Sequence, residues 1–391
     1  MASDMASRGK AHAPSTAAME LLQTLRDGNP RTRARLAELC GVARSTAGIR
    51  IDELIKHGYV EEEVDAIYTG GRPSSRVALR PRSRVVLAAD IGASHARLAL
   101  VDLLGRVLAE TSTGVQIDDE PEKTMRWLVD ESRSLAASVQ IPVADIAAIG
   151  IGLAAPIEHS TGRPINPPIM PRWADFDSAA WLHKHYDIPV VVEKDVNMMA
   201  VGEHQARPKE SGNLLFAKIA TGIGVGIISG DRLHRGEQGI AGDIGHVPLR
   251  RDVDVPCHCG NRGCLEAVAS GPALAAALRE LGRDANTTSD VVDLVRSGDI
   301  EAIQLVRQAG RDMGEVLATC VSLFNPSLIV VGGTLSRAGD HLLAGVREVV
   351  YARSMPLATQ RLEIAQSDPS TNSAVLGAAA MAVDRVLAIK R

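Results

Sequence analysis

The densest chemistry in the chain is a set of three cysteines and a histidine. His246 is followed after ten residues by Cys257-His258-Cys259, and after four more by Cys264. Three thiolates and one imidazole complete a tetrahedral zinc shell, and a shell with no open position is structural rather than catalytic. Gly260 and Gly263 supply the tight turns that bring Cys264 round. His258 is the competing imidazole. Its two flanking cysteines would strain it, so His246 is the preferred fourth ligand. Cys40 and Cys320 stand apart.

A second set is acidic and glycine-rich. Glu193-Lys194-Asp195-Val196-Asn197 directly follows the apolar run IPVVV. An Asp at a strand end facing a cleft can act as general base toward a sugar hydroxyl, and the same Asp can cap a helix. Three turns follow buried strands: Asp90-Ile91-Gly92-Ala93-Ser94, Thr221-Gly222-Ile223-Gly224-Val225-Gly226 and Gly332-Gly333-Thr334. Backbone amides at such turns hold phosphate, and an Asp holds Mg²⁺ through water.

The elements that position these groups read as an α/β body. From Val85 on, apolar runs (VVLAADIGA, ARLALVDLLG, IAAIGIGLAAP, IPVVVEKD, NLLFAKIATGIGVGII, PSLIVVGG) alternate with Ala/Leu-rich helical stretches. The repeated passage from strand to glycine turn hints at a duplicated lobe.

Ahead of this body, residues 15–84 read differently, after an expected disordered tail over 1–14. Ser15 or Thr16 starts a helix through Met19, Leu22 and Leu25, ended by Asp27-Gly28-Asn29-Pro30. A second helix carries Leu36 and Leu39. After Gly41-Val42-Ala43, a third spans about Arg44 to His57, with Ala47, Ile51, Leu54 and Ile55 on one face. Two strand-like runs around a Gly-Gly-Arg-Pro tip complete the order of a winged helix-turn-helix. Arg44, Ser45, Thr46 and Arg50 fall off the apolar face, where they suit a major groove. Arg72 at the tip and Arg76 after it suit a minor groove. The expected partner is a double-stranded DNA operator, bound by a separate head.

Charge agrees with this division. Residues 1–84 hold fourteen Lys+Arg against ten Asp+Glu, while the whole chain of 391 residues carries a net −4. A basic head on an acidic body suits a polyanion at one end. No run of 18 apolar residues occurs, and the N-terminus lacks a secretory pattern, so the expected location is the cytoplasm without a membrane span.

Taken together, these residues resemble the ROK family of repressors, open reading frames and kinases. The resemblance spans nearly the whole chain. Its most specific part is GDIGH (Gly242 to His246) leading into CHCGNRGCLE (Cys257 to Glu266). It implies a two-lobed, actin-like sugar-kinase fold over residues 85–391, in homodimers or homotetramers, with the fused head marking the regulator branch. By resemblance, Asp195 is the catalytic position. Asn166, Lys194, Asp195, Asp243, His246 and Glu266 are the sugar-contacting positions, with His246 using its second nitrogen for zinc. Asp90, Gly92, Ser94, Thr221, Gly222, Gly224, Gly332 and Gly333 match the nucleotide-phosphate turns.

Four departures bear on activity. Lys194 stands where the family usually has Asn, Asp243 where it has Glu, and Ala93-Ser94-His95 where it has Gly-Thr-Lys/Asn. Ile157 stands in place of a glycine. An ammonium from Lys194 beside Asp195 would stabilise its carboxylate and weaken it as a base. The leading expectation is therefore a DNA-binding regulator that responds to a sugar or sugar derivative and carries structural zinc. The alternative is an ATP-dependent hexose kinase with a fused DNA-binding head, which would need Mg-ATP.

Overall fold

The computed structural model describes residues 14–64, 75–115, 119–207, 212–368 and 370–387. In the head, the Ser15 hydroxyl accepts from the Ala18 N–H at 3.3 Å and caps α1 (Thr16–Gln23). β1 (Arg31–Thr32), α2 (Arg33–Leu39) and α3 (Arg44–Lys56) follow, then β2 (Val60–Val64) and β3 (Ser75–Leu79). β3 pairs antiparallel with both β1 and β2. This is the winged helix-turn-helix order. The wing tip with Arg72 lies outside the described residues. Ala47, Ile51 and Leu54 are buried as their spacing predicts. Leu39 and Ile55 are exposed instead, because each falls at the edge of its helix's apolar face.

The body holds two five-stranded sheets. The first uses β4 (Val85–Ile91), β5 (His95–Asp102), β6 (Val107–Gly114), β7 (Ile146–Leu153) and β10 (Val190–Lys194). α4 (Pro121–Ser138) follows β6, and a small hairpin of β8 (Ile157–Glu158) and β9 (Arg163–Pro164) with α5 (Ser178–Leu182) separates β7 from β10. α6 (Asp195–Ala206) then leads to the second sheet: β11 (Leu214–Ile219), β12 (Ile223–Ser229), β13 (Arg232–Leu233), β14 (Leu328–Gly332) and β15 (Glu363–Gln366). Between β13 and β14 lie α7 (Leu265–Ala269), α8 (Gly271–Glu280), α9 (Thr288–Arg296) and α10 (Ile300–Phe324). α11 (Asp340–Arg353) and α12 (Pro356–Thr359) precede β15, and α13 (Ser373–Val386) ends the described chain.

The duplication hinted at by the sequence is present in the strand order. The sheets run β10-β7-β4-β5-β6 and β13-β12-β11-β14-β15. In each, three consecutive strands form an antiparallel meander whose first strand pairs parallel with the fourth strand, which in turn pairs parallel with the fifth. NLLFAKIATGIGVGII, read as a single strand, is a hairpin. Ala220-Thr221-Gly222 reverse the chain between β11 and β12, and the Ala220 N–H donates to the Gly222 carbonyl at 3.1 Å.

α6 and α13 cross between the lobes at glycines. A Cβ on Gly377 would lie 1.8 Å from the Met198 carbonyl oxygen, and one on Gly202 would lie 2.0 Å from that of Ser373. The head, expected to be separate, is not packed as a separate body. Leu21, Leu22, Leu25, Leu36, Ile51 and Leu54 share one apolar cluster with Val86 and Val101 of the first sheet and with Ala378, Ala382 and Val383 of α13. Arg26 also pairs with Asp384. Among the described residues, no helix is long and apolar enough to cross a membrane.

Candidate functional site

The Cys/His set is brought together. The ligand atoms of His246, Cys257, Cys259 and Cys264 all lie within 4.8 Å of one another. Cys257 Sγ is 3.6 Å from His246 Nδ1, and Cys259 Sγ is 3.7 Å from Cys264 Sγ. Zinc bonds of about 2.3 Å to sulfur and 2.0–2.1 Å to nitrogen give tetrahedral edges of about 3.8 and 3.6 Å. The spacing therefore fits a tetrahedral metal. Burial and the neighbouring sulfurs push the Cys264 thiol up to about 12, so a cation is what would hold that sulfur as a thiolate. Gly260 (φ +92°) and Gly263 (φ +70°) make the turns in the left-handed region that favours glycine. The Arg251 guanidinium fastens this loop to α10, donating to both carboxylate oxygens of buried Asp312 at 2.9 and 2.7 Å.

The junction of β10 and α6 carries three consecutive charges, and each reaches a group on the second lobe. Glu193 accepts from Arg235 Nε at 2.6 Å. The Lys194 ammonium lies 3.7 Å from Asp243 Oδ1. Asp195 accepts a hydrogen bond from Lys218, and its other oxygen accepts from the Val196 N–H at 2.6 Å. This corrects the placement of Lys194 beside Asp195. Successive side chains diverge at the strand end, and Lys194 turns toward Gly224, where the missing side chain leaves room: a Cβ there would be 3.5 Å from its Nζ. Lys194 is only 8% exposed, and its Nζ has no hydrogen-bond partner among the described residues.

Lys218 is the residue that the motifs did not disclose. Burial works against its charge, but Asp195 first, then Asp90 and Glu266, outweigh that and hold the ammonium above its ordinary pKa. A lone lysine in the apolar strand LLFAKI is the available signal, since a charge there requires a partner.

The glycine turns are placed as follows. Asp90 ends β4, 7% exposed, with His95 Nε2 3.3 Å from its Oδ2. Ser94 is exposed. At the second turn, Glu266 Oε2 accepts from the Ile223 N–H at 2.8 Å beside Gly222, and Thr221 is half-buried. Gly332 packs on the Phe216 ring, and Gly333 is left-handed at φ +92°. Asn166 is exposed, also left-handed at φ 42°, on the loop whose Ile169 covers Gly222. In the head, Arg44, Ser45, Thr46 and Arg76 are exposed and Arg50 is half-buried. Ile49, not singled out by the sequence, is 71% exposed in the first half of the same helix.

The sequence model of the ROK family matches residues 86–385, most of the chain. This protein belongs to the ROK family. Among curated ROK relatives, a xylose repressor of Caldicellulosiruptor bescii is 28% identical, over 94% of this chain and 95% of its own. A ROK family transcriptional regulator described as a homologue of the E. coli Mlc protein superposes with a TM-score of 0.80 at 24% identity, covering 95% of both chains. A ROK family glucokinase from Streptomyces griseus, solved with glucose and AMPPNP, superposes with a TM-score of 0.64 at 27% identity. That match covers 76% of this chain and 99% of the kinase. The fold is thus the head followed by the two-lobed, actin-like body of the ROK regulators and sugar kinases.

Proposed function

We propose that this ROK protein is a DNA-binding transcriptional regulator whose cleft senses a sugar or sugar derivative. The carrying observation is the continuity of one apolar cluster from the head to α13. α13 in turn crosses α6, the helix that opens with Asp195. A ligand that prefers one arrangement of the lobes thereby biases the head. The xylose repressor likeness over nearly the full length supports the same reading.

In this reading α3 enters the major groove. Arg44, Ser45 and Thr46 meet phosphates and base edges there, with Arg50 beside them, and exposed Ile49 suits a thymine methyl. Arg76 and Arg72 belong to the wing. The sugar is held by Asn166, Lys194, Asp195, Asp243, His246 and Glu266, and zinc bound to His246, Cys257, Cys259 and Cys264 stiffens the loop that presents His246 and Glu266. His246 faces the metal with Nδ1 and leaves Nε2 for a hydroxyl. Zinc supplies structure here rather than reactivity. Binding as a symmetric oligomer to a two-fold operator follows the usual docking of such heads.

Selection of the full-length chain on a randomised duplex library tests the proposal. The expected result is enrichment of an inverted repeat that full-length protein then binds in fluorescence anisotropy. A pool with no enriched sequence would contradict it.

A further inference from the structure

Three basic side chains meet the β10–α6 junction, and two of them are engaged. Arg235 donates to Glu193 at 2.6 Å, and Lys218 donates to Asp195. The third is Lys194. It is more than nine-tenths buried, and its ammonium has no hydrogen-bond partner among the described residues. Asp243 Oδ1, 3.7 Å away, balances its charge but lies beyond hydrogen-bond reach. No side chain crowds it from Gly224, where a Cβ would stand 3.5 Å from Nζ. An ammonium carries three donors and no acceptor. A buried charged donor left unmet costs more than a neutral one. The Asp243 side chain is 30% exposed, so its carboxylate is open to a ligand.

We propose that the ligand of this cleft is a sugar acid, an aldonate or uronate, whose carboxylate takes the unmet donors of Lys194 while a neighbouring hydroxyl donates to Asp243. The two protein groups sit side by side, one offering only donors and the other, ionised, only acceptors. A carboxylate and a hydroxyl on adjacent carbons offer the complementary set. Entry requires only that the Asp243 carboxylate turn from Nζ toward that hydroxyl, since no hydrogen bond joins the two. A neutral hydroxyl at Lys194 would make a weaker bond, because pairs charged on both sides are roughly twice as strong as neutral ones. A phosphate monoester brings about 1.5 to 2 negative charges at pH 7. One ammonium matches one of them, and the excess would face Asp243 with Arg235 and Lys218 already engaged. Lys194 is thus the residue that selects a monoanionic sugar. The proposal deepens the sugar-sensing reading and rests on it.

Isothermal titration of the full-length protein tests it. The probes are glucose, galactose and xylose, the aldonate of each, glucuronate, galacturonate and glucose 6-phosphate. The parent is expected to bind an acid of one series at least tenfold more tightly than the neutral sugar of that series, a difference of about 1.4 kcal/mol. Lys194→Gln is expected to lose that preference. If this variant does not fold, the parent's ranking of acid, neutral sugar and phosphate decides alone. A parent that binds a neutral sugar as tightly as its acids, or that prefers glucose 6-phosphate, overturns the proposal and leaves the sugar-sensing reading standing. A folded Lys194→Gln that keeps the acid preference overturns it as well. Silence toward every probe overturns both.

Discussion

Gly377→Ala puts the contact between α6 and α13 to the proof. The added Cβ would stand 1.8 Å from the Met198 carbonyl oxygen, 2.6 Å from its carbon and 3.0 Å from the Gly202 nitrogen. All three are backbone atoms of α6, so no side chain can swing away. Relief requires the two helix axes to part by more than an ångström, against ordinary contact near 3.5–4.0 Å. Overpacking of this kind costs roughly 1–3 kcal/mol, and more where backbone must shift. Alanine returns up to about 1 kcal/mol of helix propensity. The expected net is a loss of about 1–3 kcal/mol, read as a lower thermal midpoint. Gly48→Ala in α3 is the control. Its nearest neighbour would be Arg33 Nη1 at 3.8 Å, so propensity alone acts and the midpoint should rise by the equivalent of about 0.5–1 kcal/mol. Because α13 also carries Ala378, Ala382 and Val383 into the cluster that holds the head, Gly377→Ala should alter operator affinity at a distance from every DNA-facing residue. A Gly377→Ala protein as stable as the parent, with unchanged DNA affinity, would refute the close helix crossing as the link between cleft and head.

Elemental analysis should find one zinc per chain, and Cys259→Ser should lose it along with the ligand response. Arg44→Ala and Arg72→Ala should each weaken operator binding, with Arg72→Ala also relaxing the preference for A·T-rich sequences; anisotropy against salt and sequence checks both. Lys218→Met should cost about 3–5 kcal/mol in denaturant unfolding, the usual loss when one partner of a buried pair is removed, whereas Lys218→Met with Asp195→Leu should recover most of it. The pKa of Lys218 is raised in the folded state. Its stabilising contribution is therefore complete below the ordinary lysine value of about 10.4 and lost as pH climbs through the raised one. Alkaline melts should accordingly show a steeper fall for the parent than for Lys218→Met.

The metal cluster was legible because cysteine spacing limits geometry: two thiols one residue apart and a third across two glycines close on a single point. The glycine turns and buried strands were legible for a similar reason, since apolar runs ending in Asp-x-Gly or Gly-Gly have few other uses. Partners across the lobes were not. Nothing local says that Lys194 faces Asp243 while Lys218, 23 residues beyond Asp195, takes the carboxylate. That outcome follows from strand-end divergence and from the space above Gly224. The run through Thr221 read as one strand because its residues are apolar on both sides of the turn. The head read as separate because its composition changes near residue 84. Yet Leu22, Leu25 and Leu36 belong to one apolar cluster with Ala378, Ala382 and Val383 of α13, about 350 residues away, and Arg26 pairs with Asp384 of the same helix.

In the proposed function, ligand in the cleft changes the grip of the head on DNA. It is tested most directly by anisotropy of the selected operator with full-length protein, with and without a saturating sugar identified by thermal shift. The sugar should move operator affinity by roughly fivefold to 150-fold, the usual span of allosteric coupling, and Asp195→Asn should abolish the shift while leaving sugar-free DNA binding in place. A sugar that demonstrably saturates the cleft and leaves operator affinity unchanged would contradict it.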